Sequence, residues 1–543
     1  MAKANKKKTT KTKKSATKAD NKTPPQRDTV TGASYDDAPY ESYAYPLTHP
    51  EHQAVVAKLF GLSPIDLKTA RVLELGCGGG GNILPLALDF PNADFVGIDL
   101  SPVQIEEANT HKEALGLKNV RFEAMDIMDF DKKMGEFDYI ICHGVFSWVP
   151  DFVREKILEI CDKHLSKNGL ACISYNVMPG WAPLRSVREM MMIHTAKFED
   201  PAKKVSQAKY LVEFLDKFMP QGSSMHKAVH NVHEKFKEST NDSYILHEYL
   251  ESNNNPFYFN EFAEMIAAHK LQYIGDSTLS LMYTGNFPPE AEKALKQVKD
   301  MVTKEQYIDF LSNRQFRHSV IKPQGSKTKG ADPAVLDELH FSCDLIMEEE
   351  KAGEPLTFRR PGSDFSIDVT DPYAKILFRE MCKIRNIRYA FKELIAFVVK
   401  KSDNAQKQEI EAFLRNNMGL YIFQNIIRPN ITPSAHTLEI SKKPQAHPLA
   451  VYQSQLANCT YVTNISYSTA KPSALEMELL RHLDGTNTLT ELTKKMMESI
   501  KSGKITINQN NTPVTDEKKQ KELLEDIVPK ALKNIAKMNL MVG

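Results

Sequence analysis

The chain predicts an α/β fold with a mostly parallel sheet, followed by α+β modules, and three observations carry that prediction. Residues 72–100, VLELGCGGGGNILPLALDFPNADFVGIDL, pass from an apolar run through a glycine cluster and a helical pattern to a second apolar run ending on Asp99. Further strand-like runs, FDYIIC (137–142) and GLACISYNV (169–177), are separated by a helical stretch at 151–165, as parallel strands joined by crossovers require. Two amphipathic Met- and Phe-rich stretches, RSVREMMMIHTA and QAKYLVEFLDKFM, then interrupt the alternation before LQYIGD (271–276) resumes it. The sheet is therefore Rossmann-like, with a helical insertion.

Composition restricts the possibilities. At 543 residues the chain has room for roughly two to four domains. No apolar run approaches the roughly 20 residues that cross a bilayer, and the lysine-rich start lacks the apolar core of a secretory signal, so a cytoplasmic protein without membrane insertion is expected. Seven scattered cysteines without CxxC pairs read as reduced, structural thiols. Residues 1–27 carry nine Lys and one Arg against one Asp, while the whole chain has a net charge of +1. This basic arm has almost no apolar residues and reads as a solvated, disordered tail.

Taken in order, Tyr35, Tyr40, Tyr43 and Tyr45 crowd ahead of Thr48-His49-Pro50, where Thr48 is expected to cap a helix over 53–62 that packs beside the first strand. The turn after the first strand holds Gly76, Gly78, Gly79, Gly80 and Gly81, and acids follow at Asp99 and Asp126. Such a turn lets backbone N–H groups approach a nucleoside, whose ribose hydroxyls the acid accepts. Ligands of open α/β sheets sit beyond the carboxyl ends of the strands, which places His143, Trp148, Tyr175 and Asn176 against a substrate. The insertion, 184–240, needs a second subunit or a substrate lid to pack on. A helix at about 259–269 and LQYIGD complete the sheet by about Pro288, with His247-Glu248 and Pro256-Phe257-Tyr258 returning near the cleft. Beyond it, 289–400 forms a middle, regulatory unit: helical over 290–320, a hairpin over 356–369 turning at Pro361-Gly362, and two helices over 371–399. Residues 401–543 form a C-terminal unit with a helix–turn–helix theme around Asp484-Gly485-Thr486. Its second helices are not clearly basic, so packing or protein contact is expected rather than nucleic acid. No set of His, Cys, Asp or Glu has convincing metal-ligand spacing.

Glycine spacing alone fits two ligands, because Gly76-Cys77-Gly78-Gly79-Gly80-Gly81 also satisfies the dinucleotide pattern GxGxxG. ELGCGGG resembles motif I of class I methyltransferases, which bind S-adenosylmethionine, and Glu74 separates the two. A carboxylate there would repel a pyrophosphate but suits the ammonium of S-adenosylmethionine. The resemblance implies a cofactor set of Glu74, Gly76, Cys77, Gly78, Gly80, Asp99, Leu100, Met125, Asp126 and His143. PYESYAYPLTHP, HGVFSWVP, SYNVMPGW, HEYL with NPFYF, QYIDFLSNRQFR, VTNISYS and LDGTNTL extend the resemblance from about residue 35 to the C-terminus. Together they resemble bacterial methyltransferases with a methyltransferase regulatory domain, and within them the rickettsial protein-lysine methyltransferases acting on outer membrane protein B. That family implies a homodimer with a methyltransferase domain split as 28–183 and 241–288, a dimerising insertion, and middle and C-terminal domains.

Methyl transfer from a sulfonium disperses charge, so positioning and a dry site matter more than an oxyanion hole. A lysine nucleophile, with an ordinary pKa of about 10.4, must first lose a proton. An aromatic channel favours that loss and still tolerates a methylated ammonium. Tyr40, Tyr43, Trp148, Tyr175 and Tyr258 are the candidates to line it, and His143 and Glu248 are the candidates for general base, with solvent as the alternative. The catalytic set is thus Tyr40, His143, Trp148, Tyr175, Asn176 and Glu248. An adenine or glutamine methyltransferase would show an N/D-P-P-Y-like loop where this chain has Cys142-His143-Gly144-Val145-Phe146. A small-molecule or peptide N/O-methyltransferase is the alternative enzyme, and a non-catalytic regulator responding to S-adenosylmethionine the alternative outside enzymes.

Overall fold

Apolar runs separated by crossovers close into a single seven-stranded sheet in the computed structural model, which describes residues 42–238, 242–329, 333–350, 354–402, 406–457, 459–509 and 512–542. The basic arm and Tyr40 lie outside the described residues. The strands are β1 (Arg71–Leu75), β2 (Asp94–Asp99), β3 (Val120–Ala124), β4 (Phe137–Cys142), β5 (Leu165–Asn176), β6 (Leu271–Asp276) and β7 (Phe316–Pro323), in the order β3-β2-β1-β4-β5-β7-β6. β1 to β5 run parallel, and β7 lies antiparallel between β5 and β6. Strand order reverses between β1 and β4, which opens a crevice beyond their carboxyl ends.

β7 corrects two expectations. The sheet is not complete by Pro288, and 290–320 is not helical throughout: helices Pro289–Gln297 and Met301–Ser312 precede the strand. Arg317 and His318 disguise it, because a charged residue rarely sits in a central strand. Here Arg317 is wholly buried, donating through Nε and Nη2 to Asp309 (2.9 and 2.7 Å) and through Nη2 to Glu305 Oε2 (2.9 Å). Both acids project from the helix Met301–Ser312, so strand and helix are joined by a satisfied ion cluster.

The first helix also starts differently. It spans Pro50–Leu59, His49 Nδ1 accepts from Glu51 N–H (2.9 Å), and the helix packs on β5 and β6. Thr48 is not its cap; its hydroxyl donates to Tyr45 O (2.9 Å) inside the short turn Pro46–Thr48. The insertion forms helices Ala182–Thr195, Pro201–Phe218 and Ser224–Glu238, joined by Asp242–Tyr249 around a core that includes Val187, Met191, Val212, Val229 and Tyr249. Its outer face leaves Ile193, Tyr210, Phe214 and Phe218 exposed.

The middle unit contains the expected hairpin, Leu356–Arg359 with Ser366–Val369, and helices Pro372–Lys383 and Phe391–Lys401. It does not end at 400, because Ile410, Leu414 and Met418 of the helix Lys407–Phe423 pack into the same core as Phe391 and Leu394. That core continues through Ala54 and Leu59 to Val72 and Phe95 beneath the sheet. Glu51 reinforces the junction, accepting from Ile431 N–H (2.8 Å), Thr432 N–H (2.6 Å) and Arg388 Nη1 (3.1 Å). Burial by itself would raise the Glu51 carboxyl, but Arg388 and these bonds hold it down to about 2, so the clamp stays ionised. The C-terminal unit has a separate core including Leu479, Leu492, Met496, Val528 and Leu532. It docks through Asp89, which accepts from Tyr467 OH (2.7 Å) and lies 2.8 Å from His447 Nε2. Among the described residues, no helix is long and apolar enough to cross a membrane. None of the seven cysteines forms a disulfide among the described residues.

Candidate active site

At the switch point β1 and β4 end side by side, and each runs into a tight turn. Gly76 adopts φ +74°, and a Cβ there would stand 2.4 Å from Val145 Cγ2, so only glycine lets the two turns meet. Gly78 N–H donates to Asp99 Oδ2 (2.8 Å) and Ser101 N–H to Asp99 Oδ1 (3.0 Å), which ties the acid at the tip of β2 to the glycine turn. Gly80 lies in the same turn, and Cys77 is buried beneath it, its thiol pushed well above the ordinary range by burial. Leu100 is exposed beside Asp99, and Met125 N–H donates to Asp99 O (2.8 Å). Asp126 accepts from Met128 N–H (2.9 Å) just beyond β3. The sequence-derived residues from Glu74 to Asp126 thus share one edge of the sheet.

Glu74 is only 3% exposed; its Oε1 accepts from Asn82 Nδ2 (2.7 Å), and its buried Oε2 has no hydrogen-bond partner among the described residues. Burial raises this carboxyl to about 8 against the pull of Asn82, with Asp99 adding to the rise. A half-satisfied buried carboxyl is a receptor for a cationic group. Asn82 Oδ1 accepts in turn from Tyr45 N–H (2.9 Å), and Gly81 N–H donates to Ser42 Oγ (2.7 Å). A Cβ on Gly81 would lie 2.2 Å from Ser42 O, so residues 42–48 form a strap pressed against the glycine turn. Tyr43 in this strap packs its ring, tilted by 36°, against Tyr461 of the C-terminal unit, with centroids 4.9 Å apart.

His143 closes the other side. Its ring lies against Tyr45 (4.1 Å) and stacks on His318 of β7 (5.4 Å). Burial, aided by His318, lowers it to about 3, so it is neutral at ordinary pH and too weak a base to take a proton from an ammonium. Trp148 is half-buried in the turn after β4, and Asn176 N–H at the tip of β5 donates to Ser147 Oγ (2.9 Å). The Asn176 Nδ2 is buried without a partner among the described residues.

Three candidates fall elsewhere. Tyr175 alternates to the opposite face of β5 from Asn176, where it stacks on Phe262 (4.2 Å) and bonds Ser319 Oγ through its hydroxyl (2.9 Å); it is core. Glu248 belongs to the insertion, where burial raises it to about 7 against the pull of Lys235 and Arg188; it does not meet the glycine turn. The Tyr258 ring meets Phe310 on the helix Met301–Ser312 (6.1 Å). Of the expected aromatic channel, Tyr175 and Tyr258 thus lie apart, and the rings that the structure brings together beside β4 are Tyr45, His143, Phe316 and His318. Sequence reading missed Asn82 and His318 beside the glycine turn, and reached Tyr45 only as one of the four tyrosines of which one or two were expected to line the site. An Asn closing the glycine run was a usable signal for the first; His318 had none while β7 was read as helix.

Residues 66–247 match a family described as a methyltransferase domain, 241–322 a predicted methyltransferase regulatory domain, and 442–540 the C-terminal winged helix domain of PKMT. The regulatory match runs from the insertion's end through β6 and most of β7, so it overlaps the expected middle unit, 289–400, only over 289–322. An uncharacterized protein of Rickettsia prowazekii is 34% identical over 94% of this chain and 93% of its own length. A second from the same organism is 41% identical over 42% of this chain and 92% of its length. Among solved structures, PKMT2 from Rickettsia typhi in complex with AdoHcy superposes with a TM-score of 0.84 at 31% identity, covering 93% of this chain and 100% of the other.

Proposed function

Because the chain belongs to the bacterial methyltransferases that join a methyltransferase domain, a methyltransferase regulatory domain and a PKMT winged helix, we propose that it methylates lysine side-chain amines of a protein. The methyl donor is S-adenosylmethionine, in keeping with the AdoHcy bound to the rickettsial PKMT2. The observation that carries the reading is the end-to-end likeness to that enzyme, joined to a glycine turn flanked by Glu74 and Asp99. In this reading Asp99 accepts from the ribose hydroxyls, Glu74 takes the ammonium through its unpartnered Oε2, and Leu100, Met125 and Asp126 surround the adenine. Bound there, the donor supplies an electrophilic methyl on a sulfonium. The chain supplies position: the strap over 42–48 and the Tyr45–His143–His318 rings exclude water from the crevice, which favours the neutral amine over the ammonium. Solvent is left as the proton acceptor, since His143 is neutral and weakly basic and Glu248 lies on the insertion beside Arg188.

The reading extends to a surface or outer membrane protein such as outer membrane protein B as acceptor, to a homodimer, and to a cytoplasmic enzyme. The exposed face of Ile193, Tyr210, Phe214 and Phe218 supports the dimer, and seven cysteines outside any disulfide among the described residues support a reducing compartment. Labelled S-adenosylmethionine with bacterial lysate and recombinant surface protein tests it. Mass spectrometry should place methyl on lysine Nζ, with a single-turnover rate that climbs from about pH 7 to 9 as the amine deprotonates. Methyl on carboxylate or hydroxyl oxygen, or on small molecules alone, would overturn the lysine reading.

A further inference from the structure

A cavity of about 280 Å³ opens between the helix Ala182–Thr195 and the segment Ser252–Asn255. Its floor is anchored to the acceptor end of the sheet: Asn255 N–H donates to Ser147 O (2.8 Å), and Phe257 N–H to Asn176 O (3.0 Å). Arg188 in its wall is only 5% exposed, yet its Nε and Nη2 make no hydrogen bond among the described residues, and Nη1 meets only Met192 Sδ (3.1 Å). Both amide atoms of Asn254 are likewise buried and unpartnered. A guanidinium taken out of water without hydrogen bonds is destabilising, so its retention implies a ligand that completes it.

The surrounding charges define that ligand. Arg185 Nε pairs with Glu189 Oε1 (3.0 Å), and Glu189 acts on Arg188 only through its field, which leaves Arg188 as the charge of the wall with no hydrogen-bonded acid among the described residues. Glu251 and Glu248 face it from the insertion, but Glu251 Oε1 already meets His247 Nδ1 (3.3 Å). Glu248, raised to about 7 by burial, carries only part of a charge near neutrality. The Nε–Nη2 edge is the side of a guanidinium that grips a carboxylate with two parallel bonds, and the Asn254 amide adds a donor beside it. We propose that this cavity is a subsite for the side-chain carboxylate of an acidic residue flanking the methylated lysine, held bidentately by Arg188 and by Asn254. The proposal rests on the protein-lysine reading, so binding and transfer are to be measured separately.

Lysine peptides that differ only by Glu or Gln at successive positions beside the lysine are bound, by fluorescence anisotropy, to the full-length protein loaded with S-adenosylhomocysteine. The same peptides are then assayed for methyl transfer. At one position Glu should bind about tenfold or more tighter than Gln. Arg188→Met should abolish that preference while melting no lower than the native protein, because it replaces an unpaired buried charge by an apolar chain. Arg188→Lys should keep part of it, and Asn254→Ala should weaken it without unfolding. A native protein indifferent to Glu or Gln overturns the subsite, as does preference that survives Arg188→Met, or a collapse of that variant showing that Arg188 holds the fold. Free glutarate that competes with the peptides and is itself methylated would overturn the peptide source in favour of small dicarboxylates. Acidic preference in binding without methyl on lysine would sink the lysine reading alone.

Discussion

In the proposed cofactor site, Glu74 would couple binding to protons. With its carboxyl held near 8 by burial, most of it is protonated at pH 7, and an arriving ammonium pulls that value down. Binding S-adenosylmethionine at pH 7 should therefore release a substantial fraction of one proton, read by calorimetry in buffers of different ionisation enthalpy. Glu74→Gln should bind more weakly with no release, and proton-neutral binding by the native protein would remove Glu74 from the ammonium. The stability sign follows: a carboxyl raised in the folded state stabilises at low pH, and that contribution fades as pH climbs from about 4.5 to about 8. Without ligand, Glu74→Gln should thus melt higher than the native protein above pH 8. Asp99→Ala should weaken the same ligand by about 2–4 kcal/mol, the worth of two charge-assisted bonds. Glycine turn, Glu74 and Asp99 were all readable in order along the chain, because their chemistry is local. The raised carboxyl was not, since Asn82 and the strap create its burial.

At the scale of elements, β7 is where sequence reading and structure part. FRHSVIKP lacks the unbroken apolar run of a central strand, and continuity with QYIDFLSN favours a helix. The fold accepts Arg317 there only because Asp309 and Glu305, one and two turns along the preceding helix, point back at it. Arg317→Leu should then destabilise by about 3–5 kcal/mol in chemical denaturation, since it strands the buried Glu305 and leaves Asp309 with Arg314 alone. A loss under 1 kcal/mol would mean that water reaches the cluster. The same variant should disturb His318, the next residue, and so loosen the His143 stack. The hairpin at Pro361-Gly362 and the helices after it were predicted correctly, because turn residues and helical spacing need no distant partner.

For the whole molecule, the division at Pro288 does not hold. A fragment of residues 28–288 lacks β7 and the half of the core contributed by Phe341, Phe391 and Leu414. It should be insoluble or molten, with no cooperative melting transition. Residues 28–436 keep the sheet, the shared core and the Glu51 clamp. That fragment should fold and bind S-adenosylmethionine several-fold more weakly, because the strap loses Tyr461 behind Tyr43 and Asp89 loses Tyr467. Unchanged affinity would show that the C-terminal unit does not support the strap. By itself the sequence determined the parallel sheet, the nucleoside turn with its two acids, the insertion and the helix–turn–helix modules, since each is written in short-range periodicity or in glycine's conformational freedom. The tertiary structure decided the rest: β7's place between β5 and β6, Tyr175 as core, the neutral His143, the raised Glu74 and the unpaired Arg188. Burial and electric field are set by groups brought together from distant parts of the chain, and no local pattern carries them.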